Sequence, residues 1–172
     1  VGKSTLAARL ARRRGFQLSV SATTRPPRPG EQPGREYFFL SRARFRRGLA
    51  RGDFVEHARI YGELYGTPAA PLRRAVAAGR RVILDIDWKG HRQLRKRGLP
   101  VLGIFILPPD YRALEARLKG RRSETARSES RRLRSARHEL KHRFEYDEII
   151  VNDRLPRAER QIVGILKRRG LA

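Results

Sequence analysis

The chain has no cysteine, no methionine and a single tryptophan among its 172 residues. Without cysteine it has neither a disulfide framework nor a thiolate metal site. Four histidines scattered along the sequence argue against a zinc site as well. No apolar run approaches the roughly 20 residues that a membrane span needs. The longest, Val101 to Leu107, is interrupted by Gly103 and reads as a buried strand, so no membrane partner is expected. Acidic side chains are scarce: 17 Asp+Glu stand against 41 Lys+Arg, for a net charge of +24. Only six of the basic residues are lysine; 35 are arginine. Such an excess points to an anionic partner, whether nucleotide, nucleic acid or acidic surface. Its spread along the whole chain fits solvent-facing helices better than a nucleic-acid arm. With no stacking series of aromatics beside the basic residues, any nucleic-acid binding is expected to be nonspecific.

At 39% apolar residues, the chain has enough for one globular domain with a real core. Strand and helix signals alternate, predicting an α/β domain with a mainly parallel sheet. A helix opens the chain and ends at Gly15; Phe16 to Ser21 reads as a strand, and Ser21 to Arg35, rich in proline and glycine, as a loop. Strands are expected at Glu36–Leu40 and Phe54–Tyr61, with a Ser41-capped helix between them and a turn at Gly62–Gly66. Helix follows at Pro68–Ala78, then a buried strand Arg81–Asp87, helix Lys89–Lys96 and strand Val101–Leu107. Asp110 caps a helix to Leu118, a charge-dense helix spans Glu124–Phe144, and strand Glu148–Val151 precedes a last helix, Arg157–Arg169. The stretch from Ser21 to Gly66 breaks the alternation and reads as a β-rich insertion.

Two motifs carry chemistry. Gly2-Lys3-Ser4-Thr5 matches the end of a phosphate-binding loop, G-x-x-x-x-G-K-[ST], followed at once by a helix. There backbone N–H groups and the helix dipole hold phosphates, the lysine neutralises charge and the hydroxyl contacts Mg²⁺. The first glycine of that pattern and its strand are expected to precede Val1, and this stretch by itself is expected to have weak activity or none. The second motif is Ser21-Ala22-Thr23-Thr24-Arg25-Pro26-Pro27-Arg28-Pro29-Gly30-Glu31, with Gly34 and Tyr37 beyond it. Two arginines three apart on a proline-stiffened loop suit a dianionic phosphate, which accepts bidentate guanidinium bonds. A solvated basic loop is the alternative.

These segments, with Phe54 to Thr67 (FVEHARIYGELYGT), Arg81 to Gly90 (RVILDIDWKG), Arg117 to Thr125 (RLKGRRSET) and Tyr146 to Asp153 (YDEIIVND), resemble bacterial guanylate kinases in order and spacing over nearly the whole chain. The resemblance implies a P-loop nucleoside monophosphate kinase fold: a core (1–20, 68–116 and 145–172), a GMP-binding region (21–67) and a helical lid (117–144). It implies a cytoplasmic enzyme that phosphorylates GMP, and dGMP as a second acceptor, with ATP and Mg²⁺. Oligomeric state is left open. A non-catalytic interaction module of the same fold is the alternative class; the presence of Gly2, Lys3, Ser4, Arg25, Arg28 and Asp85 favours the enzyme.

Residue roles follow from the same resemblance. Glu56 is implied as guanine reader, since a carboxylate accepts paired bonds from N1–H and the exocyclic amine while adenine offers no such pair. Ser21 and Thr67 match hydroxyls that complete the base pocket. Arg25, Arg28, Tyr37 and Tyr65 match the clamp on the acceptor phosphate. Asp85 lies near nucleotide and metal in the family, and Asp87 orients GMP or Mg²⁺-bound water, or else caps the following helix. Spacing of two along the expected strand puts both carboxylates on one face. Arg121 and Arg132 match lid arginines that reach over the transferring phosphoryl group. Gly2, Lys3, Ser4, Thr5 and Asn152 are expected at ATP, with a turn role the alternative for Asn152. Arg122 stands where the family has a small residue. Lys89 stands where it often has glutamine, and its charge is expected to act on the aspartates.

Overall fold

The computed structural model describes residues 2–110, 112–115 and 126–171, with backbone alone for 126–133. Of the expected lid segment, residues 117–125, Arg121 among them, lie outside the described residues. The chain divides into two compact units, Val1–Arg9 with Leu102–Ala172, and Leu10–Val101.

The second unit holds a four-stranded sheet ordered β3-β2-β5-β4, made of β2 (Ser21–Thr23), β3 (Tyr37–Phe39), β4 (Phe54–Ile60) and β5 (Glu63–Pro68). β2 and β3 run parallel, while β5 is antiparallel to both β2 and β4. The β4–β5 hairpin turns on Tyr61 (φ 52°) and Gly62 (φ 92°), both left-handed, as a two-residue type I′ turn requires. The turn expected over Gly62–Gly66 is therefore only this pair, and the strand resumes at Glu63. Ser21–Thr23, expected as the end of one strand and the start of a loop, is a strand of its own in a sheet separate from Phe16–Leu18.

One face of the sheet carries a small apolar core in which Phe45 and Phe54 stack at 4.4 Å and 14° beside Ala22, with Leu40, Leu49 and Leu64 around them. Phe45 comes from α2 (Arg42–Ala50), whose first turn is capped by Ser41 Oγ accepting from the Arg44 N–H at 3.2 Å. The β4 edge is covered by α4 (Trp88–Lys96) and the residue after it. The Gln93 amide bonds both the N–H and the C=O of His57, and the Arg97 guanidinium donates to the Val55 carbonyl at 2.8 Å. An edge closed in this way cannot template pairing with another chain.

Beside this sheet, β1 (Phe16–Leu18) and β6 (Arg81–Ile83) form a parallel pair, and α3 (Ala69–Ala77) links β5 to β6. The strand expected over Arg81–Asp87 stops at Ile83, because its partner β1 is only three residues long. In the first unit β7 (Ile104–Leu107) pairs in parallel with β8 (Glu148–Val151). α1 (Lys3–Ala11), α5 (Ala126–Lys141), a 3₁₀ turn Arg143–Glu145 and α6 (Leu155–Arg168) complete the order. α6 buries Ala158, Ile162, Ile165 and Leu166, one stripe at helical spacing, and carries Pro156 in its first turn, where no N–H is needed.

Candidate active site

Strand alternation sorts the residues of the four-stranded sheet. Ser21 pairs with Tyr37, Thr23 with Tyr65 and Phe39, Glu56 with Thr67, and Ala58 with Tyr65. With a period of two, Ser21, Tyr37, Glu56, Tyr65 and Thr67 fall on one face, opposite the Ala22–Phe45–Phe54 core. Phe54 escapes that face, although it lies two residues before Glu56, because the register shifts between them. Gly66 sits where a Cβ would press on Phe45, Phe54 and the Glu56 carbonyl, all at 3.0–3.1 Å. That is the physical reason for a glycine between Tyr65 and Thr67.

Glu56 is 4% exposed and Thr67 fully buried. The Thr67 hydroxyl donates to Glu56 Oε1 at 2.6 Å. The second carboxylate oxygen lies against Gly90 of α4, where any Cβ would overlap it. Burial pushes the Glu56 carboxyl above its ordinary value, the Asp87 charge adds to that, and the Thr67 bond opposes it. A buried carboxylate with one oxygen anchored is set to accept from a ligand that offers two donors side by side.

At the other end of the same face the rings of Tyr37 and Tyr65 meet edge-on, 6.0 Å apart. Burial raises the Tyr37 phenol, and the charge of Asp85 raises it further, so it stays a hydroxyl donor. Arg25 lies over the rings of Tyr37 and Phe39, at 5.5 and 5.8 Å. Its Nη2 donates to both oxygens of Glu31 at 2.9 Å. Burial works against the Arg25 charge, but Glu31 more than offsets it and the guanidinium pKa is raised. Glu31 also accepts from the Arg28 N–H at 2.7 Å. Burial would raise its pKa, yet the Arg28 N–H and the Arg25 guanidinium hold it below the ordinary carboxylate range. Glu31 is thus the hub of the arginine loop, a role whose one signal in the sequence is the Arg-x5-Glu spacing. The Arg28 side chain is exposed.

Asp85 and Asp87 follow β6 rather than closing it, so the expected strand face does not place them. Asp87 caps α4, its Oδ1 accepting from the Gly90 N–H at 3.0 Å. The capping role is therefore real, and it also holds the backbone of the glycine that meets Glu56. Lys89 sets its ammonium 5.6 Å over the Trp88 ring.

In the first unit Gly2 is left-handed (φ 82°), and its carbonyl accepts the Leu6 N–H at 3.0 Å, opening α1. Lys3, Ser4 and Thr5 form the first turn of α1, with Ser4 and Thr5 exposed. Asn152 directly follows β8, is 2% exposed and lies with its amide against Gly2, where a Cβ would overlap it. This is a packed position, not a surface turn. The next residue, Asp153, accepts from the Arg154 N–H at 2.7 Å and the Arg157 guanidinium at 2.9 Å. Arg132 lies on α5 among the residues with described backbone only, and Arg121 outside the described residues.

The sequence model of the family described as guanylate kinase matches residues 1–169. The guanylate kinase of Ruegeria pomeroyi is 45% identical over 168 residues, covering 96% of this chain and 79% of that one. That of Chromohalobacter salexigens is 48% identical over 153 residues, covering 88% and 71%. The crystal structure of guanylate kinase from Anaplasma phagocytophilum superposes with a TM-score of 0.82 at 33% identity, covering 99% of this chain and 83% of that one. The fold is that of a P-loop nucleoside monophosphate kinase. Within that class the chain belongs to the guanylate kinase family of ATP:GMP phosphotransferases. Among the described residues, no helix is long and apolar enough to cross a membrane.

Proposed function

We propose that this chain transfers the γ-phosphoryl group of ATP to GMP, and to dGMP as a second acceptor, in purine nucleotide metabolism and GMP recycling in the cytoplasm. The observation that carries the reading is the buried Glu56 carboxylate, anchored by Thr67 on the sheet face that also presents Tyr37 and Tyr65. Glu56 accepts the guanine N1–H and exocyclic amine, and Ser21 and Thr67 add hydroxyls. Adenine in that pocket does not offer the buried carboxylate that adjacent pair of donors, a cost of about 1–3 kcal/mol or more. The acceptor phosphate takes the guanidinium of Arg25, held ready by Glu31, with Arg28 and the phenols of Tyr37 and Tyr65. These contacts read base and phosphate and leave the sugar 2′ position unassigned, which is why dGMP is included.

The acceptor phosphate is already an anionic nucleophile, so the chemistry asks for alignment and charge screening rather than a general base. Lys3 and the α1 N-terminus hold the donor phosphates, with Gly2, Thr5 and Asn152 at the ATP end. Arg121 and Arg132 screen the transferring group, and Asp85 and Asp87 orient the acceptor. The exposed hydroxyl of Ser4, in the first turn of α1, fits the family's Mg²⁺ ligand. The ion, bound with ATP, supplies charge neutralisation across the phosphates.

The test is ADP release from ATP and Mg²⁺ by the full-length protein with GMP, dGMP, AMP, CMP and UMP. Turnover confined to the guanine nucleotides is expected. Equal turnover with AMP would overturn the role of Glu56. Tight GMP binding without turnover would instead identify an interaction module.

A further inference from the structure

Two of the four histidines are not scattered. His138-Glu139-Leu140-Lys141-His142 has the H-E-x-x-H spacing, which on a helix sets two imidazoles on one face. His138 lies in the last turn of α5 and His142 immediately after it. Their Nε2 atoms are 3.4 Å apart, with the rings 5.0 Å centre to centre and inclined at 76°. We propose that His138 and His142 form a site for Zn²⁺ or a similar borderline divalent transition-metal ion, with Glu145 as the carboxylate that positions His142.

The distance supports this. Two nitrogens bound at 2.0–2.1 Å in tetrahedral array stand roughly 3.3 Å apart. Right-angled octahedral coordination with the same bonds would bring them to roughly 2.9 Å. The second support is the orientation of His142. Its Nδ1 lies 2.6 Å from Glu145 Oε1. With the Nδ1–H donating to that carboxylate, the Nε2 lone pair is directed at His138, the arrangement that orients metal-bound imidazoles in general. Between the imidazoles the ion takes the place of a shared proton.

Among the described residues, no group of three or more metal-ligating side chains could hold an ion. Water therefore completes the coordination, and the proposal is for binding, not for the hydrolytic chemistry of three-ligand H-E-x-x-H enzymes. Nitrogen donors select against Mg²⁺, which separates this site from any ion carried with ATP. An ion here would brace the end of α5 against the Arg143–Glu145 turn, adding to the bonds from the His142 N–H to the Glu139 carbonyl, the Glu145 N–H to the His142 carbonyl and the Arg143 guanidinium to the Leu140 carbonyl. Arg134, Arg137, Lys141 and Arg143 crowd the same stretch, so the affinity is modest by the standard of structural zinc sites.

The test is calorimetric titration of ZnCl₂ into chelator-treated full-length protein, for wild type, His138→Gln, His142→Gln, Glu145→Gln and, as control, His57→Gln. One saturable site is expected, about tenfold or more weaker in each of the first two variants and severalfold weaker in Glu145→Gln. His57→Gln and excess Mg²⁺ leave it unchanged. No saturable binding in wild type, or equal affinity in His138→Gln and His142→Gln, overturns the site; equal affinity in Glu145→Gln overturns the positioning role. Should a histidine variant fail to fold, paramagnetic Cu²⁺ added to wild type decides the matter. Broadening confined to the His138 and His142 imidazole signals supports the site, and broadening elsewhere overturns it.

Discussion

The sheet face of Ser21, Tyr37, Glu56, Tyr65 and Thr67 and the Gly2–α1–Asn152 stretch are built by opposite means. The first is made of side chains. A buried carboxylate, two phenols and two hydroxyls arrive from four strands, and the charged groups are held by further residues: Thr67 and Gly90 for Glu56, Glu31 for the neighbouring Arg25. The second is made of backbone, with a left-handed glycine, the start of a helix and one buried amide packed where a side chain would otherwise be. A pocket that must tell one base from another needs specific donors and acceptors. A pocket for phosphates, alike in every nucleotide, is served by N–H groups at a helix start and positive charge, with no base-specific donor or acceptor.

The comparison can be broken most sharply at Glu56. Glu56→Gln removes a charged double acceptor and is expected to lower kcat/KM for GMP by about 100-fold, read from initial rates. Its effect on the empty protein runs the other way. A carboxyl whose folded pKa is raised binds its proton more tightly when folded, so stability is lost as pH rises from the ordinary carboxylate value through the folded one. Glu56→Gln should therefore raise the melting temperature at pH 7, with the gain shrinking as the solution is acidified. Gly2→Ala attacks the backbone-built site: strain at φ 82° and overlap with Asn152 should raise KM for ATP about tenfold and leave GMP affinity unchanged. Gly90→Ala replaces glycine with the best helix former, worth about 1 kcal/mol in an exposed helix. Here it should instead displace the Glu56 carboxylate and raise KM for GMP about tenfold, with ATP unaffected. Glu31→Gln keeps the loop but loosens Arg25, for a severalfold rise in KM for GMP. Because Glu31 has a depressed pKa, the stability it contributes is present at neutral pH and lost as pH falls through its folded value, so the variant should melt lower than wild type at pH 7, with the deficit shrinking as the solution is acidified.

Local signals are legible in the sequence. Ser41 and Asp87 cap the helices they precede, and Glu148–Val151 is a strand with the bounds expected of it. What was not legible depends on partners distant in sequence. Ser21–Thr23 is three small residues with no apolar alternation, and it becomes a strand only because Tyr37 and Gly66 flank it. Gly66 looks like a turn residue until Phe45 and Phe54 explain why a Cβ is excluded. The Arg81–Asp87 run reads as one strand because composition does not reveal that β1 ends after Leu18. The expected parallel sheet is present as the β1–β6 and β7–β8 pairs, while the insertion sheet is mixed. The family motifs point to Ser21, Glu56 and Thr67, which share one sheet face, but the group that holds Arg25 in place comes from a loop folding back on itself.

The central claim is that Glu56 reads the two adjacent donors of guanine. Calorimetric titration of GMP and IMP, which lacks the exocyclic amine, into the full-length wild-type protein and Glu56→Gln tests it directly. The account predicts that wild type prefers GMP by about 30-fold and that the variant reduces this preference to about threefold or less. An unchanged GMP-to-IMP ratio in Glu56→Gln, with both affinities falling together, would contradict it.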